Sequence, residues 1–310
     1  MNGLLLFGGL ALLLLGGEWL LRAAVATAAR WRVPKVVLGM TIVSFATSLP
    51  ELITSIRAAL EGYPDLSLSN VVGSNIANLG FVLGTILLFG RIRVQKSFYL
   101  FDWPVVFGVS LLLLFLLYNG TISQSDGVLL LLILAVVMTY LIKFQPPVVV
   151  QETPEELLIK SWWWIVFFVI LGSLGLAFGS QWLVKGAVGL ARAYDVSERI
   201  IGITLVSIGT SLPELAASGM AIAKKEQGIS IGNLIGSNLF NILTVLGVTS
   251  VIHPLQVEDV QLLAFDIWVM IGFALVLLPL VFFSKRLLLS WKQGVVLVLC
   301  YTAYMVQTLA

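Results

Sequence analysis

Gly39-Met-Thr-Ile-Val-Ser-Phe-Ala-Thr-Ser-Leu-Pro-Glu-Leu52 returns 163 positions later as Gly202-Ile-Thr-Leu-Val-Ser-Ile-Gly-Thr-Ser-Leu-Pro-Glu-Leu215. The register continues. Asn70-Val-Val-Gly-Ser-Asn-Ile-Ala-Asn78 matches Asn233-Leu-Ile-Gly-Ser-Asn-Leu-Phe-Asn241, and Trp19-Leu20 matches Trp182-Leu183. Over 39–84 and 202–247 about 21 of 46 positions are identical without a gap. Apolar helices resemble one another in Leu and Val, but they do not share Thr, Ser, Pro, Glu and Asn at matched places. The chain is therefore an internal duplication.

The surroundings of the duplicated stretches are apolar. Of 310 residues 59% are hydrophobic and only 11% charged, with a mean hydropathy of +1.03. A soluble domain carries about a quarter charged residues, so this composition leaves too little polar surface for a water-soluble globule and points to bilayer-facing surface. The net charge of +2 gives no reason to expect a nucleic-acid partner. Cys300 and His253 are each single, which excludes an intrachain disulfide or a zinc site. Cys300 is expected as a buried thiol within a span and His253 as a loop residue near the surface. Met1 to Leu21 has no charged start and runs straight into a repeat unit, so it is expected as a retained first span and not a cleaved signal peptide.

A spanning helix needs about 20 mostly apolar residues. Ten segments qualify: 3–21, 35–60, 67–89, 103–118, 126–144, 162–190, 199–223, 229–252, 262–283 and 289–308. The expected fold is thus an all-α integral membrane protein. Residues 1–144 form one five-helix repeat, 145–160 a short Pro-containing linker and 161–310 a second repeat. Cations concentrate in alternate connections: Arg22, Arg30, Arg32 and Lys35; Arg91, Arg93 and Lys96; Lys143 and Lys160; Lys224 and Lys225; Lys285, Arg286 and Lys292. The connection after the sixth span, with Lys185, Arg192 and Arg199 beside Asp195 and Glu198, breaks the trend. Positive charge favours the cytoplasmic side, which places the linker inside and both termini outside a plasma (inner) membrane. Trp103, Trp162–Trp164, Trp268 and Trp291 fall near span ends, as an interfacial aromatic belt would.

Five spans is an odd number, so the second copy enters the membrane from the opposite side. The two polar motifs then meet near the midplane about a pseudo-two-fold axis, an architecture of secondary transporters that suits alternating access. Glu51 and Glu214 sit deep in spans, where an ionisable group is costly and functional by default. At 100° per residue Ser44, Thr47, Ser48, Glu51 and Ser55 share one helix face, as do Ser207, Thr210, Ser211, Glu214 and Ser218. The following spans carry matching stripes, Ser67, Asn70, Ser74 and Asn78, and Ser230, Asn233, Ser237 and Asn241. Single Ser or Asn residues in such positions also serve as interhelical hydrogen-bond formers. Pro50 and Pro213 should break their helices near Thr47 and Thr210 and free the carbonyls of Ala46 and Gly209 toward a cavity. Gly39, Gly73, Gly202, Gly232 and Gly236 would let helices approach closely around it.

An all-oxygen site with two carboxylates suits a hard cation. Calcium takes 6–8 oxygens, sodium uses the same ligands one charge at a time, and the absence of thiolate and imidazole disfavours copper and zinc. Protons compete for the same carboxylates. Exchange of Ca²⁺ for Na⁺ is the leading expectation, Ca²⁺/H⁺ exchange the alternative and a cation channel a more distant one. An enzyme is disfavoured because the paired Glu residues come without a matched His, Cys or metal-ligand set, and no cofactor is expected. The partners are inorganic cations and the lipid bilayer, with a monomer sufficient for transport.

These paired motifs resemble the α-repeats of the sodium/calcium exchanger family, within the cation/calcium antiporter superfamily, in a form without a regulatory domain. The resemblance covers the repeats closely and the ten-span layout loosely. It implies two inverted five-helix units with ions bound among spans 2, 3, 7 and 8. By position it makes Glu51 and Glu214 the carboxylate ligands. Thr47, Thr210, Ser48, Ser211, Ser74, Ser237, Asn78 and Asn241 accompany them. It also implies that the first and sixth helices slide past the rest, with which Gly16, Gly17, Gly172, Gly175 and Gly179 are compatible. Ala46 and Ser69 stand where the pattern usually has Gly. Asn241 stands where some microbial members carry Asp, which leaves two carboxylates instead of three.

Overall fold

The computed structural model describes residues 2–144, 161–194, 207–284 and 287–309. The linker expected at 145–160, Gly202 and the start of the seventh segment lie outside these residues, as does the side chain of Ser207. The described chain is helical apart from four two-residue strands. A bilayer core offers the backbone no water, so helices that satisfy their own N–H and C=O groups are the natural solution for so apolar a chain.

Seven helices are long and apolar enough to cross a membrane: α1 (Asn2–Trp31), α4 (Pro64–Phe89), α5 (Phe98–Asn119), α6 (Gln124–Lys143), α7 (Trp162–Ala193), α10 (Gln227–Ile252) and α11 (Leu262–Phe282). An eighth span forms if α2 (Lys35–Thr47) and α3 (Leu49–Leu60), bent by 44° at Ser48, are taken together. The other two expected segments correspond to α8 (Ser207–Thr210) with α9 (Leu212–Ala223), and to α12 (Trp291–Leu309). Lys292, Gln293 and Gln307 dilute the hydropathy of α12.

α4 and α10 form the centre. In their most apolar stretches 78% and 83% of residues are buried, against 22–39% in the other long helices. That explains why these two spans tolerate Ser and Asn: their neighbours are protein and not lipid. Two short bridges stitch the halves together. β1 (Ile92–Arg93) pairs antiparallel with β4 (Leu288–Leu289), and β2 (Thr121–Ile122) with β3 (Leu255–Gln256). Each joins connections that the charge pattern assigns to the same membrane side.

α1 and α7 meet backbone to backbone. A Cβ on Gly16 would lie 2.7 Å from Leu176 N, one on Gly172 2.9 Å from Leu20 N, and one on Gly179 2.7 Å from Leu13 N. The small residues thus form one continuous seam. A second seam joins α2 to α10, where a Cβ on Gly39 would stand 2.5 Å from Ile229 O and one on Gly232 3.1 Å from Gly39 Cα. Gly73 departs from the expectation, since a Cβ there would meet nothing within 4 Å; it makes no close helix contact.

Cys300 also differs from the expectation. It is exposed on the outer surface of α12 and not buried. In an apolar span both the core and the lipid face accept a thiol, so the surrounding sequence carries no burial signal. His253 lies exposed at the end of α10, as expected. Trp103 reaches inward: its indole N–H donates to Ala274 O at 2.7 Å, tying α5 to α11.

Candidate cation site

The two duplicated motifs break their helices in the same way. Ser48 has φ −85° and ψ 1°, and Ser211 φ −90° and ψ 4°. Each break falls one residue beyond the expected Thr, because the next helix restarts at Leu49 or Leu212 and takes its Pro into the first turn. There the missing N–H costs nothing. Glu51 and Glu214 consequently occupy the first turns of α3 and α9, where the helix dipole favours a carboxylate.

Both glutamates are fully buried, and they lie close enough for each to feel the other's charge. Thr47 and Ser237 stand beside Glu214, although neither forms a hydrogen bond of ordinary geometry with it. Thr47 Oγ1 instead lies 3.2 Å from Asn233 Oδ1 and 3.2 Å from Ser237 Oγ.

The asparagines show how the stripes are held. Asn75 Nδ2 donates to Asn238 O (3.3 Å) and Asn238 Nδ2 to Asn75 O (3.4 Å). Asn78 Nδ2 donates to Asn238 Oδ1 (3.2 Å), and Asn241 Nδ2 to Asn75 Oδ1 (3.1 Å). Asn70 Nδ2 donates to Ser55 Oγ (3.0 Å), and Asn233 Nδ2 to Ser218 Oγ (2.9 Å). Every bond in this set has a counterpart 163 residues on, so the two copies pair about a local two-fold axis. The amide nitrogens of Asn78 and Asn241 are thereby occupied and their Oδ1 atoms left as acceptors. Each of these asparagines also opens a widened π-helical turn, Asn78–Val82 and Asn241–Leu246, a distortion frequent at functional sites.

Among the described residues the buried oxygens without a hydrogen-bond partner include both oxygens of Glu51 and of Glu214, Ser48 Oγ, Ser211 Oγ, Ser74 Oγ, Asn78 Oδ1 and Asn241 Oδ1. Buried polar atoms are normally paired. A concentration of unpaired oxygens around two carboxylates is the arrangement a cation satisfies. Thr47 and Ser237 complete the side on which the motifs are closed; Thr210 is half-buried and lines a cavity of about 380 Å³. Among the described residues no three of His, Cys, Asp and Glu gather anywhere, so the formal negative charge here comes from two carboxylates.

Three residues that carry this geometry had no assigned role in the sequence. Asn75 and Asn238 orient the other two asparagines; their signal was a position three residues ahead of each. Ser180 is the other kind: its hydroxyl donates to Gly209 O at 2.5 Å. The carbonyl expected to face the cavity freely is therefore already bonded to α7.

A multi-pass apolar bundle enclosing a buried, acceptor-rich site between two broken helices defines a membrane transporter of inorganic cations. The model of the family described as sodium/calcium exchanger protein matches residues 2–143 and 164–310, and the chain belongs to that family. It is 30% identical over 344 aligned residues to the sodium/calcium exchanger MaX1 of Methanosarcina acetivorans, covering 98% of this chain and 97% of that one. It is 32% identical over 262 residues to the inner membrane protein YrbG of Escherichia coli strain K12, covering 82% and 81%. A solved structure of the sodium–calcium exchanger NCX_Mj superposes with a TM-score of 0.83 at 29% identity, over 98% of both chains. The protein is accordingly a cation/calcium antiporter of the membrane.

Proposed function

We propose that the protein exchanges Ca²⁺ for Na⁺ by alternating access, using ten helices arranged as two inverted five-helix units, residues 1–144 and 161–310. Glu51 and Glu214 neutralise a bound Ca²⁺, and Thr47, Thr210, Ser48, Ser211, Ser74, Ser237, Asn78 and Asn241 supply further oxygens. The carrying observation is the cluster of buried acceptors without partners, the two carboxylates among them. MaX1 and NCX_Mj are named for sodium/calcium exchange, which favours Na⁺ as the counter-ion. Unequal burial of related residues supports alternating access. Thr47 and Asn233 are fully buried in mutual contact, whereas Thr210 and Asn70 are half-buried. The protein works as a transporter in the plasma (inner) membrane with both termini outside, needs no cofactor, and one chain holds the whole site. Ca²⁺/H⁺ exchange is the second reading, favoured by the closeness of the two carboxylates.

Radioactive calcium uptake into proteoliposomes under an imposed sodium or proton gradient tests the assignment. Sodium-driven uptake is expected, abolished in Glu51→Gln and in Glu214→Gln. Uptake driven by protons alone would overturn the sodium assignment, and normal flux in either variant would overturn the site.

A further inference from the structure

The 380 Å³ cavity extends from Pro50, Gly209 and Thr210, beside the helix breaks, to Arg57, Gln181 and Lys185. Arg57 lies seven residues beyond Pro50, about 10 Å along the helix at 1.5 Å per residue. Among the described residues neither Arg57 nor Lys185 makes an ion pair or a hydrogen bond, and no acidic side chain lines the cavity. A passage to a cation site thus carries, among the described residues, two positive charges at its mouth without an acidic partner.

The duplication supplies a built-in comparison. At the 163-residue offset Arg57 corresponds to Met220, Gln181 to Glu18 and Lys185 to Arg22. On that opposite face Arg22 Nε bonds Glu18 at 2.8 Å, and Lys224 Nζ lies 3.4 Å from the same carboxylate. The related cavity there, about 340 Å³, is lined by Leu212, Ala216 and Met220 and by no charged side chain among the described residues. The two mouths share corresponding lining positions, Leu49 with Leu212, Ile53 with Ala216 and Arg57 with Met220, and differ in charge among the described residues.

We infer that Arg57 and Lys185 form a charge filter at the outer mouth that discriminates against divalent cations arriving from that side, so that Ca²⁺ released there does not readily rebind while Na⁺ still enters. The inference rests on the antiport reading and the topology above. A cleft lined by one sign of charge focuses its field on the ions within it. The energy of an ion in a given potential scales with its charge, so the depletion factor for Ca²⁺ is the square of that for Na⁺. Two unit charges about 10 Å away in a water-like medium, screened at an ionic strength of about 0.05 M, deplete Na⁺ about twofold and Ca²⁺ about fourfold. Cations that only snorkel to the bilayer surface would deplete neither.

The test measures half-saturating Ca²⁺ and Na⁺ separately on each face of reconstituted vesicles, in low and in high choline chloride. In the Arg57→Gln/Lys185→Gln variant the half-saturating concentrations on the Arg57 face should fall, about fourfold for Ca²⁺ and about twofold for Na⁺. They should not change on the opposite face. Arg57→Lys should behave as wild type. In unmodified protein, high choline chloride should lower half-saturating Ca²⁺ on the same face, a readout that survives if the double variant does not fold. Equal changes for the two ions, changes on both faces, or no salt dependence overturn the filter. Wild-type protein that exchanges no Ca²⁺ at all overturns the antiport reading beneath it, a distinguishable failure.

Discussion

Glu214→Gln preserves the shape of the side chain and removes one of the two charges in the site. Ca²⁺ bound to the wild-type pair would be neutral, whereas in the variant one positive charge remains uncompensated in a fully buried position. Such a charge costs several kcal/mol. About 4 kcal/mol corresponds to a roughly thousandfold weaker Kd. At a Ca²⁺ concentration 100 times the wild-type Kd, binding stabilises the wild-type fold by about 2.7 kcal/mol and the variant by less than about 0.1 kcal/mol. Thermal unfolding in detergent across a Ca²⁺ titration reads this directly: the wild-type midpoint climbs and the variant's stays flat. Without added ion the variant should be at least as stable as wild type, because the lost carboxylate has no hydrogen-bond partner and faces the charge of Glu51. Na⁺ bears a single charge that Glu51 alone balances, so Na⁺ should still raise the variant's midpoint. A midpoint for Glu214→Gln that climbs with Ca²⁺ as in wild type would refute the two-carboxylate account.

Gly179→Ala places a methyl group 2.7 Å from Leu13 N and 2.9 Å from Gly9 O, and overpacking of this kind should cost about 1–3 kcal/mol in chemical unfolding. Gly219→Ala, which meets nothing within 4 Å, is its neutral control. Asn75→Ala strips Asn241 Nδ2 of its acceptor and Asn238 O of a donor. A loss of about 2–3 kcal/mol is expected, with weaker Ca²⁺-induced stabilisation because the Asn241 amide is no longer oriented. Ser180→Ala leaves Gly209 O without the hydroxyl it accepts from, costing about 1 kcal/mol or somewhat more in the same unfolding assay.

The offset repeat pointed to the candidate site because it places two glutamates, with the same polar neighbours, at matched positions in apolar spans. Broken helices, buried glutamates and asparagine stripes all follow from local rules about Pro, charge and helical period. Burial on the outer helices was less legible. Lipid and protein interior reward the same side chains, so Cys300 faces out and Gly73 stands open without any signal in the neighbouring residues. The roles of Asn75, Asn238 and Ser180 depend on contacts between segments far apart in the chain, and periodicity within one helix says nothing about those. The one-residue shift of each break reflects where Pro50 and Pro213 fit the restarting helix.

The reciprocal Asn75–Asn238 bonds have a consequence for ancestry. Each partner gives the other what it receives, as at the self-complementary interface of a two-fold homodimer. A half-length progenitor inserted in both orientations could therefore have closed this contact with a second copy of itself. Fusion into one chain would then have freed the two mouths to diverge, and Gln181 opposite Glu18 records such a divergence.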